Sequence, residues 1–186
     1  MDDRAHSGYT LVELVVTLAA LAILVTWAVP AFSNLIDSNR LRAAAAQLAG
    51  DLRYARSEAI KHPSSTPVGV SFSPGERWCY GISQQLPCDC RQTDWRRTDA
   101  CLLDLSRERQ LHTAAGTAHP GIRLLEARFS GGAVTAFDPT RGIARAGSIT
   151  LESQRGKRVD IRISTLGRVR ICTPDGDAGL GGYSAC

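Results

Sequence analysis

From Leu14 to Phe32 the sequence reads LVVTLAALAILVTWAVPAF, without a single charged side chain. Such a run approaches the ~20 apolar residues that carry an α-helix across a bilayer. It is too long for the apolar region of a cleaved secretory signal, and no A-x-A site follows it closely. Two residues set it apart from an ordinary membrane anchor. Glu13 borders the run, where a carboxylate without a partner is costly. Pro30 lies deep inside it and deprives the Thr26 carbonyl of its helical N–H, which makes a place to kink or melt.

Beyond Pro30 the helical pattern continues in a different style. Leu41, Ala45, Leu48, Leu52, Ala55 and Ala59 recur at alternating spacings of four and three, an amphipathic stripe. Arg40, Arg42, Asp51, Arg53, Arg56 and Glu58 fall on other faces, and Pro63 with Ser64 and Ser65 ends the pattern. A soluble coiled coil would account for the stripe but not for the uncharged half before it.

After Pro67 short alternating segments bounded by Gly, Pro and Asp take over. Val68–Phe72, Trp78–Ile82, Ile122–Phe129, Ala133–Phe137, Ser148–Leu151, Arg158–Ile163 and Arg168–Cys172 read as strands. The fold class expected is α+β: a long N-terminal helix whose stripe packs on an antiparallel β-sheet head. Residues 83–120 read as irregular, polar and cysteine-rich. The glycine-rich tail Thr173–Ala185 offers little to pack.

Six cysteines, Cys79, Cys88, Cys90, Cys101, Cys172 and Cys186, all follow the apolar run, a distribution that points to disulfides in an oxidising compartment. A Cys172–Cys186 bridge would close a loop of about 15 residues, worth ~3 kcal/mol in the chain-entropy account. Cys88 and Cys90 are too close to bridge each other, so each is expected to pair with Cys79 or Cys101. No metal is expected, because these four cysteines lack the paired C-x₂-C arms of a zinc site.

The sequence carries no catalytic constellation: no G-x-S-x-G, H-E-x-x-H or phosphate loop, and four scattered histidines. Neither enzyme activity nor a cofactor is expected. Its chemistry lies in its charge. Between Arg141 and Arg170 stand eight basic residues against Glu152 and Asp160. On a strand Arg168 and Arg170 share one face, and a hairpin across Ser164–Gly167 would bring Arg158 and Arg162 to it. Such a patch would hold phosphates without reading sequence. The same arginines would also suit a contact to another subunit or plain solvation.

Two stretches resemble a known family. Gly8-Tyr9-Thr10-Leu11-Val12-Glu13-Leu14 is similar to the processing signal of type IV pilins and type II secretion pseudopilins. The resemblance implies a leader of residues 1–8, cut after Gly8 by a prepilin peptidase that methylates Tyr9. It implies a transmembrane and filament helix over 9–62, with Glu13 and Pro30 serving filament assembly, and a head over 63–186. The segments Phe137–Gly142, Gly147–Leu151 and Ile161–Arg170 resemble the end of GspH/FimT-type minor pilins, with residues 83–120 outside the likeness. Gly167-Arg168-Val169-Arg170 matches the GRxR motif with which FimT-like members bind DNA in natural transformation. The implied protein is a minor pilin in the inner membrane, head in the periplasm, with pilin subunits, prepilin peptidase and DNA as partners. DNA contact would fall to Gly167, Arg168 and Arg170, joined by Arg158 and Arg162. A GspH-like pseudopilin of type II secretion, or a priming minor pilin, is the structural alternative.

Overall fold

The computed structural model describes residues 10–61, 66–105, 108–174 and 180–186. The expected leader, the processing residues Gly8 and Tyr9, and the expected helix end at His62 and Pro63 lie outside the described residues. Two compact units emerge, one ending at Ile36 and one spanning Asp37–Cys186.

Helix α1 covers Leu11–Lys61. Thr10 caps it: its Oγ1 accepts the Glu13 N–H at 3.3 Å, and its carbonyl accepts the Leu14 N–H. This is the Thr-x-x-Glu pattern of a capping box. Up to Ile36 the described side chains are almost all exposed, among them Leu11, Leu24, Trp27 and Phe32. The hydroxyls of this stretch turn inward to their own backbone, Thr17 to the Leu14 carbonyl and Thr26 to the Ile23 carbonyl. These two hydroxyls therefore make no hydrogen-bonding demand on the surroundings, as a lipid-facing surface requires. The backbone stays helical through Pro30.

From Asp37 onward the same helix enters a core. All six residues of the expected stripe are fully buried, and Ala44 and Ala49 join them. The small alanines among the leucines let sheet side chains approach the helix closely. Among the described residues ten strands follow: β1 Val68–Ser73, β2 Cys79–Ser83, β3 Leu102–Leu105, β4 Glu108–Leu111, β5 Thr113–Ala115, β6 Ile122–Phe129, β7 Val134–Phe137, β8 Gly147–Ser153, β9 Arg158–Ile163 and β10 Val169–Cys172. They form a sheet of order β5-β2-β1-β7, a second of order β10-β9-β8-β6, and the β3–β4 hairpin, with antiparallel pairing throughout. Val68, Val70, Tyr80, Ile82 and Phe137 of the first sheet share one core with Leu124, Ile149, Leu151, Val159, Ile161 and Val169 of the second, on the helix stripe. Polar contacts tie α1 to the first sheet and to the segment after the 3₁₀ turn that follows β5. Gln47 Oε1 meets His119 Nε2 at 2.8 Å, and the Tyr80 hydroxyl donates to Asp51 Oδ2 at 2.5 Å.

Three expectations need correction. Residues 83–120 are not wholly irregular, because β3, β4, β5 and a 3₁₀ turn at Gly116–Ala118 lie there. Two crossed disulfides, Cys79–Cys90 and Cys88–Cys101, fasten this region to β2. They can do so because Gly81 has no side chain: a Cβ there would stand 2.2 Å from the Cys101 sulfur. The tail packs more than its composition suggests. Leu180 is 2% exposed, and Arg42 Nη2 holds the Gly181 carbonyl at 2.6 Å. Glu58, expected on an outer face, is 4% exposed and accepts a hydrogen bond from Lys61 Nζ at 2.8 Å.

Leu52 sits at the middle of the stripe with no exposed surface. Leu52→Ala should cost about 2–5 kcal/mol, the range for truncating a buried leucine, read as a lower urea midpoint at unchanged slope.

Candidate nucleic-acid interface

The pairing register of the second sheet decides which charged side chains share its outer face. β9 and β10 form the expected hairpin, with Arg162 opposite Arg170 and Ile163 opposite Val169. β8 sets Ser148 opposite Arg162, Thr150 opposite Asp160 and Glu152 opposite Arg158. β6 sets Arg128 opposite Ser148, Glu126 opposite Thr150 and Arg123 opposite Glu152. Because residues paired across strands share a face, three rows result. One row reads Arg170, Arg162, Ser148, Arg128. The next reads Cys172, Asp160, Thr150, Glu126. The third reads Arg158, Glu152, Arg123. Val159, Ile161, Ile163 and Val169 alternate onto the core face, where they are buried.

Acidic residues separate the expected arginines into two groups. Arg158 Nε and Arg123 Nη2 both donate to the nearly buried Glu152, at 2.9 and 2.6 Å. Burial alone would push the Glu152 carboxyl up. The hydrogen bonds and charges of Arg158 and Arg123 outweigh it, so the group lies below the ordinary glutamate value. Arg158 is thus committed to an internal ion-pair network, ~13 Å along β9 from Arg162. Arg162 lies 3.6 Å from Asp160 Oδ2 and also donates to the main-chain oxygen of Cys186 at 3.4 Å. Asp160 itself is 8% exposed: Thr150 Oγ1 donates to it at 2.8 Å, and the Cys186 sulfur lies 3.8 Å from its other oxygen. The Cys172–Cys186 disulfide holds the tail there. Arg168 and Arg170 are exposed, and among the described residues neither guanidinium makes an ion pair or hydrogen bond within the protein.

Gly167 serves this arrangement through its backbone. The turn Ser164–Gly167 closes with the Gly167 N–H on the Ser164 carbonyl at 2.8 Å, and Ser164 Oγ accepts the Arg168 N–H. Gly167 adopts φ +72°, and a Cβ there would fall 2.3 Å from the Gly142 carbonyl and 2.7 Å from Arg56 Nε. Arg56 is held against this loop by its own bond to the Gly142 carbonyl at 3.2 Å. The glycine of the motif therefore fixes the direction from which Arg168 and Arg170 leave the turn.

Arg128 was not singled out from the sequence. Strict alternation from Ile122 and Leu124 would place it on the core face. A bulge between Leu124 and Glu126 shifts the register of β6, so Ala127 turns inward and Arg128 outward, its side chain 75% exposed.

Compared with protein families, residues 44–167 match the family model described as type II transport protein GspH, two thirds of the chain. The chain belongs to this family. Residues 3–29 match the prokaryotic N-terminal methylation motif. Together with the apolar first half of α1, uncharged from Leu14 to Ile36, these matches make the protein a membrane-anchored minor pilin or pseudopilin of the GspH/FimT type, a structural rather than enzymatic class. The GspH match runs through residues 83–120, which the sequence likeness had left out, and ends at Gly167, one residue before Arg168. Among curated proteins and solved structures no match is found.

Two outcomes are expected. Gly167→Ala should destabilise the head by at least about 1–2 kcal/mol for the left-handed backbone alone, measured by urea unfolding. The folded pKa of Glu152 is depressed, so its contribution is present above the ordinary glutamate pKa and lost as pH falls through the folded value. Replacing Arg123 and Arg158 together by Gln should lower the melting temperature at pH 7. It should also flatten the fall in stability between about pH 5 and about pH 3.

Proposed function

We propose that this protein is a FimT-like minor pilin that binds extracellular DNA, without sequence preference, for uptake in natural transformation. The observation that carries this reading is the pair Arg168 and Arg170. They project from a rigid turn, exposed and without an internal carboxylate partner, where Arg158 is neutralised. Unpaired guanidinium groups on a strand face favour phosphate oxygens, to which arginine can donate in a fork. Arg162, shared with Asp160 and the Cys186 oxygen, is a weaker member of the site. Gly167 shapes it, and Arg158 contributes through the sheet rather than through DNA.

In this reading a prepilin peptidase cuts between Gly8 and Tyr9 and methylates Tyr9. The inner membrane holds α1 until the subunit enters a pilus, with the head on the periplasmic side. Glu13, at the start of the helix, then pairs with an amino terminus, its own or a neighbour's. Pro30 gives the apolar half its capacity to bend on assembly.

A second reading is favoured by one specific observation: the GspH match is to a type II transport protein, and it stops before the two arginines. On that reading the protein is a pseudopilin or priming subunit, and its arginines meet another subunit. A deletion strain separates the two, by loss of transformation on one hand and of protein secretion or piliation on the other.

The direct test uses the full chain in detergent with a duplex of arbitrary sequence. Arg168→Gln and Arg170→Gln should each weaken binding and reduce the slope of log K against log salt by about one. Unchanged affinity of the double variant at low salt rejects the DNA reading.

A further inference from the structure

The outer face of the second sheet is graded along its strands. At the end near the Ser164–Gly167 turn come Arg168, then the row Arg170, Arg162, Ser148 and Arg128, with no acidic residue in that row. Carboxylates begin only in the next row, with Asp160 and Glu126. In that row Asp160 is covered, and Glu126 sits on β6 beside Arg128, accepting from its Nη2 at 2.8 Å. The third row is closed on itself around Glu152. Only the turn-proximal strip therefore offers a run of positive charge, and it crosses all four strands.

We infer that this strip is a track for the phosphate backbone of DNA, leading from the β9–β10 turn across the sheet to β6, with Arg128 as its far anchor. The inference rests on the DNA-binding reading and gives that site its extent and direction. Three strand spacings of ~4.8 Å separate Arg128 from Arg170, about 14 Å. Successive phosphates of one strand stand farther apart than their ~3.4 Å rise along the helix axis, so a row of this length reaches more than one phosphate but fewer than four. Between the arginines stands Ser148, small enough to let a backbone approach and able to donate a hydroxyl hydrogen to a phosphate oxygen. Arg128 is paired only within its own strand, to the half-exposed Glu126, an interaction worth little in water and readily exchanged for a phosphate. Arg123, equally basic and on the same face, is held by Glu152 and takes no part.

The test measures binding of the full chain in detergent to a 30-base-pair duplex of arbitrary sequence over a range of salt. Arg128→Gln should weaken binding roughly ten-fold, the scale of one lost charge-assisted hydrogen bond, and lower the salt slope by about one, as Arg170→Gln does. Glu126→Gln, which frees Arg128 without removing it, should tighten binding. Arg123→Gln should leave the slope unchanged. If Arg128→Gln retains the wild-type slope while Arg170→Gln does not, the track is overturned and the site ends at the hairpin. If Arg123→Gln lowers the slope as much as Arg128→Gln, the effect is one of net charge and the track is likewise overturned. A wild-type chain that fails to bind at low salt removes the DNA reading itself, a result distinct from either.

Discussion

The main core of the head closes on one helical stripe. Leu41, Ala45, Leu48, Leu52, Ala55 and Ala59 are the shared wall on which both four-stranded sheets bury their apolar faces. Burying each leucine contributes on the order of 2 kcal/mol, while the intervening alanines set how near the strands come. After Glu13 in its first turn, the helix that supplies this wall runs uncharged to Ile36, a segment unsuited to water. One element thus answers to two solvents, and the change between them falls where Asp37 and Ser38 appear. Both of these polar residues are engaged by the head, Asp37 by the Ser153 hydroxyl and Ser38 by Lys157 Nζ.

With the inner face of the second sheet committed to the stripe, its outer face is left to charge. Register then does the sorting. Arg158 and Arg170 are equivalent on paper, both basic and both outward. Pairing with β8 gives Arg158 a buried glutamate as its neighbour, whereas Arg170, on the edge strand, meets only another arginine. Like charges directly opposite destabilise a sheet unless something intervenes. Here Arg162 draws on Asp160 and on the Cys186 oxygen, which lessens the repulsion and leaves Arg170 to its surroundings.

Much of this was legible in the sequence because it rests on periodicity. The four-three spacing of the stripe, the bounds of β6 and β9, and the hairpin at Ser164–Gly167 follow from side-chain alternation and one turn glycine. The strands within 83–120 were not legible. β5 has three residues, too few to show alternation, and β3 and β4 owe their position to disulfides whose pairing spacing alone could not choose. Leu180 escaped notice because a lone leucine among glycines carries no period. Arg128 was hidden by a single inserted residue at the β6 bulge, which inverts the facing of every side chain beyond it.

The tail links surface electrostatics to oxidation. Asp160 lies between the arginine row and the glutamate network, yet it is scarcely visible to solvent because the loop ending in Cys186 rests on it. The Cys172–Cys186 bond therefore does more than shorten the unfolded chain: it acts as a lid over a negative charge. A head folded with that bond still open would present an aspartate at the border of its most basic strip. The face would stay positive, with four arginines against that one carboxylate, but the strip would meet solvent with a more exposed negative edge in a chain that had not met an oxidant.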